Sequence, residues 1–330
     1  MTEKFRNILS FVGRIVLSVG LLAWIFSFIN WKDTLGILKQ ADVGLLCWAG
    51  LVHAITSGLV LVRWFLFMRA LNLDVSVGQV CRYFFIGLFC NLFLPTSIGG
   101  DLVKAIGLSR GVGQKPKVFA SVVLDRLSGF AGLVIVAALS YTVGSRLIDA
   151  PSVIIPIAFL TVLSLVLGGM LFNQTLYRFF GGLVSRFPRL QNGILQMHED
   201  VMLMTGKKRT AWGCVVFSCF TQALSAFMFY LIALALHQEV SFLPFLVFSP
   251  IVAAVSFLPS IGGLGVREVG WVYFLAKIGL DKGVAVGLSL ISFFFIVVAG
   301  LIGGVVYVTT VPDRRVQCDE VAGGVRPGNA

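Results

Sequence analysis

Charge is scarce in this 330-residue chain: 12% of the residues are charged, against 58% that are hydrophobic. Too little charge is present for a soluble globular domain, and too much apolar surface for a disordered chain. Histidine is scarcer still, with three in all, and the six cysteines (Cys47, Cys81, Cys90, Cys214, Cys219, Cys318) lie mostly inside apolar runs. With no C-x-x-C pair and no histidine at ligand spacing, neither a disulfide framework nor a zinc site follows, and no metal or cofactor is expected. The chain also lacks a P-loop and any polar stretch long enough for a soluble catalytic domain. Acidic residues are few beside basic ones, 15 against 26, giving a formal charge of +11. No basic groove interleaved with aromatics lies outside the apolar runs, so nucleic acid is not an expected partner. Cationic loops facing an anionic leaflet account for the charge.

What the chain has instead is apolar runs and a phrase used twice. Leu94-Pro95-Thr96-Ser97-Ile98-Gly99-Gly100-Asp101 follows the apolar run 83–94, and Leu258-Pro259-Ser260-Ile261-Gly262-Gly263 follows the run 242–258. Proline removes a backbone donor and a glycine pair permits positive φ, so each phrase should end one helix and open another, with Pro95 and Pro259 as the breaks. Unwound backbone at membrane depth survives only inside protein or beside a water-filled cavity. Interrupted apolar segments in corresponding positions of two halves point to a transporter's binding site.

A bilayer core takes about 20 apolar residues as a helix. By that measure full spans lie near 12–29, 43–65, 118–143, 153–172, 209–236 and 283–308. In the first, the apolar run 15–29 follows Lys4, Arg6 and Arg14 and lacks a small-x-small cleavage site, so it reads as an uncleaved span. Segments 78–110 and 242–278 each carry one phrase at the middle and read as re-entrant hairpins of two half-length helices. With both hairpins returning to the side they entered from, most basic residues, including Arg63, Arg69, Lys104, Arg110, Lys207 and Arg314, collect on the cytoplasmic side. The two hairpins then enter from opposite sides, the pattern of an inverted-topology repeat; convergence on a Pro-Gly break would give the same short match. The expected fold is all-α: a polytopic integral membrane protein with about six full transmembrane helices and two re-entrant hairpins. One domain covers 1–312, and a mobile polar tail covers 313–330. Segment 174–208 is either an amphipathic helix on the inner leaflet or a packed helical hairpin.

Charges inside apolar spans are costly and mark candidate function. Asp125-Arg126 interrupts the third span, and adjacent residues on a helix diverge by about 100°, so each needs a partner elsewhere. Arg63 is a candidate for Asp125, and an anionic headgroup for Arg126; a snorkelling arginine with a buried ion pair is the structural alternative. In the first hairpin, free amides around Ser97, Gly99 and Gly100 favour an anion such as phosphate. Asp101 shares that turn and either caps the helix or complicates anion binding, with Lys104 placed to pair with it. In the second, Gly262, Gly263, Arg267 and Glu268 repeat the ambiguity: Glu268 is a cap, or a buried carboxyl able to take a proton. Asn91 either satisfies broken-helix carbonyls or meets substrate. His53 and His237 read as packed or interfacial.

Taken together, Asn91-Leu92-Phe93-Leu94-Pro95-Thr96-Ser97-Ile98-Gly99-Gly100-Asp101-Leu102-Val103-Lys104, then Asp125-Arg126, then Pro259-Ser260-Ile261-Gly262-Gly263-Leu264-Gly265-Val266-Arg267-Glu268 resemble the signature of the flippase-like transmembrane domain of lysylphosphatidylglycerol synthases. The likeness covers about residues 8–310. In two-part members, the multiple peptide resistance factors, this domain moves aminoacylated phospholipid across the bilayer and a separate soluble domain transfers the amino acid. Only the membrane part is resembled here, so the resemblance implies no aminoacyltransferase. Stand-alone members include proteins linked to hopanoid or glycolipid handling. Lys104 stands where the family pattern has Arg, and Ile261 where a second Pro is common. Lysine keeps the charge but loses the bidentate fork for phosphate.

The resulting expectation is a lipid translocase in a bacterial inner membrane, with both termini cytoplasmic. Arg63, Arg126, Arg267 and the helix start near Gly99-Gly100 would engage an anionic or modified lipid headgroup, with Asp125 and Glu268 as coupling carboxylates. Two other classes stay open: an integral-membrane transferase of lipid metabolism, and a non-transporting partner of a lipid-biosynthetic enzyme.

Overall fold

The structure, a computed structural model, describes residues 36, 39–93, 97–144, 150–172, 199–256 and 265–323. The expected span at 12–29, the breaks Pro95 and Pro259, the pair Gly262-Gly263 and most of the segment 174–208 lie outside the described residues. Every regular element described is helical: α1 Val43–Ala70, α2 Val77–Phe93, α3 Ser97–Val112, α4 Lys115–Gly144, α5 Ala150–Phe172, α6 Lys208–Ala235, α7 Leu243–Val255, α8 Val266–Lys277 and α9 Lys282–Gly323. Helices answer the composition, because they satisfy backbone donors and acceptors within the segment where water is absent. Among the described residues, α1, α4, α6 and α9 are each long and apolar enough to cross a membrane. The fold is that of a polytopic membrane protein.

Local chemistry sets the ends of these helices, and sets them in pairs. Asp42 caps α1, its Oδ1 accepting from the amides of Gly44 at 2.7 Å and Leu45 at 3.2 Å. At the other end Asn72 takes φ 56°, and the amide of Leu73 reaches back to Met68 O at 3.0 Å. Helix α6 stops the same way: His237 takes φ 57° and the amide of Gln238 reaches Ala233 O at 3.1 Å. A left-handed residue followed by this 6→1 bond is the Schellman stop, and a non-glycine residue there is uncommon. Both helices are 28 residues long. Gly113 and Gly279, at φ 73° and 81°, follow the ends of α3 and α8.

The paired stops belong to a repeat in the packing. Helices α1 and α6 run antiparallel along their length: the Asp42 amide donates to Ala235 O at 2.9 Å at one end, and Lys207 Nζ donates to Ala70 O at 2.5 Å at the other. Hairpin α2–α3 follows α1 and is closed by α4; hairpin α7–α8 follows α6 and is closed by α9. Each closing helix crosses over, so that α9 packs on α2 and α4 packs on α7. Exchanging α1–α4 for α6–α9 relates these contacts, as an inverted repeat would.

The halves of each hairpin are antiparallel. Tyr83 lies against Gly107 and Gly87 against Gly100 in the first; Phe248 stacks on Phe274 at 4.9 Å in the second. A Cβ on Gly100 would lie 2.2 Å from Gly87 O and 2.4 Å from Asn91 Oδ1, so only glycine allows this crossing. Helices α2 and α3, of 17 and 16 residues, each rise about 25 Å. They are therefore longer than the half-length helices expected, since the polar phrase between them is short and helix resumes at Ser97. The two largest buried apolar clusters among the described residues lie one around each hairpin; Trp64 and Leu108 sit in the first, Phe245 and Trp271 in the second.

Two further differences concern the edges. Val201 and Met204, at the end of the segment read as lying on the leaflet, are buried in the first cluster, which favours the packed alternative for that end. Helical backbone also continues past Pro312 to Gly323, inside the region expected to be a polar tail.

Candidate functional site

Each half of the repeat buries charge where its hairpin meets its closing helix. In the first, Arg63 of α1 donates from Nε to Asp125 Oδ1 of α4 at 2.7 Å and from Nη1 to Ser218 Oγ of α6 at 2.7 Å. Beside this pair, Asp101 of α3 is held between Lys104, at 2.8 Å, and Arg126. Lys104 Nζ also stands 4.6 Å from the centre of the Trp64 ring, whose Nε1 donates to Ser121 Oγ at 3.2 Å. Arg63, Asp101, Lys104 and Asp125 are buried, whereas the Arg126 side chain is 35% exposed. All five line a cavity of about 310 Å³, along with Asn91, Gln222 and Ser225. Three cations against two carboxylates leave that cavity one positive charge in excess.

In the second half, Gly265 takes φ 87° at the start of α8, and its amide donates to Glu268 Oε2 at 2.6 Å. The other carboxylate oxygen accepts from Ser289 Oγ at 2.8 Å and from Arg267 Nη2 at 3.0 Å. Arg267 Nε in turn contacts Ser289 Oγ at 3.0 Å, and its guanidinium lies 5.2 Å from the Phe293 ring centre. Arg267 lines a second cavity of about 380 Å³ with Ser249, Ser256, Trp271, Ser292 and His53. Ser249 Oγ and Trp271 Nε1 are buried and have no hydrogen-bond partner among the described residues. Native proteins rarely leave such groups unpaired, so each marks a place for an outside acceptor or donor.

The two cavities abut. Leu88, Asn91, Gln222, Ser225 and Ala253 line both of them and form the partition.

Several residues singled out in the sequence meet here in altered roles. Arg63 and Lys104 were counted among cytoplasmic flanking charges, yet both are buried and paired, because their long side chains turn inward to carboxylates. Arg126 meets Asp101 rather than standing open for a headgroup alone. Asp101 does not cap α3, since the helix opens at Ser97 and Asp101 falls beyond its first turn. Asn91 Oδ1 accepts from the Gly100 amide at 2.8 Å, so it satisfies an amide and not a carbonyl, and that amide is not open to an anion. Gly99 lies inside α3 and Ser97 at its start. Glu268 is buried but has partners, the Gly265 amide, Ser289 and Arg267. His53 stacks on Phe295 with ring centres 6.1 Å apart, and His237 Nε2 lies 2.9 Å from Gln40 O.

Sequence reading passed over Ser218, Gln222, Ser225, Ser249, Trp271 and Ser289. A signal existed for Ser218, Gln222 and Ser225, which with Thr221 recur at helical spacing and form a polar stripe on apolar α6. Ser249 and Ser289 are single small polar residues whose burial no pattern announces.

Fold and site together define a polytopic helical membrane protein, with two helical hairpins around two adjoining polar cavities. The chain belongs to the family described as the lysylphosphatidylglycerol synthase transmembrane region, whose model matches residues 11–304. It is also 26% identical over 323 residues to a UPF0104 membrane protein of Pyrococcus horikoshii, covering 88% of this chain and 94% of that one.

Proposed function

We propose that this protein is a translocase for a polar-headed lipid, carrying the headgroup through its two cavities while the acyl chains stay in the bilayer. The family's association with lysylphosphatidylglycerol supports a lipid as the cargo. The observation that carries the reading is the partition: two polar cavities, one from each half of an inverted repeat, share a wall that includes Asn91, Gln222 and Ser225. A site near the junction of inverted halves, open to each side in turn, is how alternating access works.

The positive excess of the first cavity favours an anionic headgroup, and Arg126, its most exposed cation, is the residue placed to meet one. Arg267, with the unpaired Ser249 and Trp271, offers donors for the same group in the second cavity. Asp125 and Glu268 serve as fixed counter-charges to Arg63 and Arg267, which the short bonds to those arginines support. The protein acts in the cytoplasmic membrane with its termini inside, as the distribution of basic residues suggests.

Translocation of fluorescent phospholipids in proteoliposomes tests this, with anionic, zwitterionic and aminoacylated headgroups compared beside Arg126→Ala. Headgroup-dependent movement lost in the variant is expected. No movement of any headgroup by folded protein, with or without an ion gradient, would overturn the reading in favour of a transferase or a partner of a lipid-biosynthetic enzyme.

A further inference from the structure

The two halves of the repeat differ at one matched contact. In the packing of α4 on α6, Gly132 lies so close that a Cβ there would stand 2.5 Å from Ser218 Cβ and 2.7 Å from Ser218 backbone. The matched contact, α9 on α1, is made by rings instead: His53 of α1 and Phe295 of α9, with centres 6.1 Å apart. Glycine against serine lets helices touch backbone to backbone, whereas two rings hold them apart. One seam of the molecule is closed, and its counterpart is wedged open.

The wedge encloses a cavity of about 450 Å³ between α1, α2 and α9. Gly50, Ala54, Gly58 and Leu61 of α1 form one wall, spaced as one face of a helix. Phe85 and the α9 residues Val298, Ala299 and Ile302 form much of the other. A Cβ added at Gly58 would have no heavy atom within 4 Å, and Ile302 is half exposed. The chamber is apolar yet continuous with the polar ones: it shares Ser57 and Phe84 with the charged cavity and His53 with the second.

Resting on the translocase reading, we infer that the α1/α9 seam is the lateral portal that holds the acyl chains of the transported lipid while its headgroup moves between the two polar cavities. Apolar lining suits hydrocarbon, and shared residues place that hydrocarbon within reach of a headgroup in either chamber. At Gly132 the α4/α6 seam is closed by its contact with Ser218, whereas the α1/α9 seam leaves room for a chain to pass.

The test uses the full chain in nanodiscs with a phosphatidylglycerol carrying a diazirine in its acyl chain, followed by peptide mapping of the adduct. Label on α1 and α9 around Ala54, Gly58 and Ala299 is expected, at least tenfold reduced in Gly58→Trp, with Leu165→Trp on the exposed face of α5 as the control. In proteoliposomes, Gly58→Trp should abolish lipid movement while the protein remains folded. Label confined to outward faces such as α5 would overturn the portal. So would a disulfide between Gly58→Cys and cysteines placed in residues 12–29, which would mean that a segment of this chain fills the seam. Movement that survives Gly58→Trp also overturns the portal but leaves the translocase reading standing. Label in the seam without movement of any headgroup overturns the translocase reading instead.

Discussion

Arg63 and Asp125 form a buried ion pair at 2.7 Å between α1 and α4, and the same guanidinium holds Ser218 of α6. One side chain therefore ties together three helices that come from both halves of the repeat. A buried charge is tolerable in such a place only because every partner is present at once.

Removing one member should reveal that dependence. Arg63→Ala leaves the buried Asp125 carboxylate without its bonded partner, and a loss of about 3–5 kcal/mol is expected. The paired change Arg63→Met with Asp125→Leu should recover much of it, because no uncompensated charge remains. Thermal unfolding in detergent compares the three proteins; equal losses in the single and double variants would show that the pair has no such coupling.

Glycine at the hairpin crossing makes a sharper steric prediction. Gly100→Ala puts a methyl into Gly87 O and the Asn91 side chain, at 2.2 and 2.4 Å, and should cost at least about 1–3 kcal/mol. Gly58→Ala, with open space around it, should be neutral or stabilising by up to about 1 kcal/mol. Folded yield and melting temperature of the two variants decide the matter, and a tolerated Gly100→Ala would mean the crossing is looser than described.

The contrast between these glycines also shows how far the sequence could be read. Apolar length marked the helices, and the doubled Pro-Gly phrase marked where apolar segments pair as α2–α3 and α7–α8. The partner of Asp125 was also legible, since a buried carboxylate near a span's end needs a cation and Arg63 was at hand. For Arg126 the pairing with Asp101, from another helix, was not legible. That pairing depends on how α3 is rotated against α4, which no periodicity in either helix specifies. The partition and the unpaired Ser249 were beyond reach for the same reason, as they exist only where three helices converge.

Charge balance in the first cavity should govern what binds there. Asp101→Asn removes the carboxylate between Lys104 and Arg126 and raises the positive excess by one. Tighter binding of anionic lipid is expected, with slower release and hence slower net movement, together with a stability loss of about 1–3 kcal/mol from the lost charge-assisted bonds. Native mass spectrometry with phosphatidylglycerol and phosphatidylcholine would separate these effects. Unchanged preference between the two lipids would show that the cavity's charge does not select the headgroup.

Glu268 and Ser289 offer a matching change in the second half. Glu268→Gln leaves Arg267 without its counter-charge, so folding should suffer while the second cavity becomes more cationic. Ser289→Ala removes one hydroxyl that meets both side chains but keeps both charges, and should cost only about 1–2 kcal/mol. Unfolding midpoints of the pair measure the difference. A Ser289→Ala loss as large as that of Glu268→Gln would place the stabilising bond in the hydroxyl rather than the charge.

Ser249 gives the cleanest separation of function from fold. Its hydroxyl is buried, lines the second cavity and has no partner among the described residues, so the folded chain already bears the cost of desolvating it. Ser249→Ala should therefore leave the melting temperature unchanged or slightly raised. A hydroxyl that serves a headgroup in transit would be missed by that headgroup alone, and lipid movement should fall several-fold in proteoliposomes while headgroup binding in the first cavity persists. A variant equal to the parent in both stability and transport would mean that no headgroup meets this hydroxyl. An equal fall in both would mean that the hydroxyl holds the fold by a contact that its unpaired state denies.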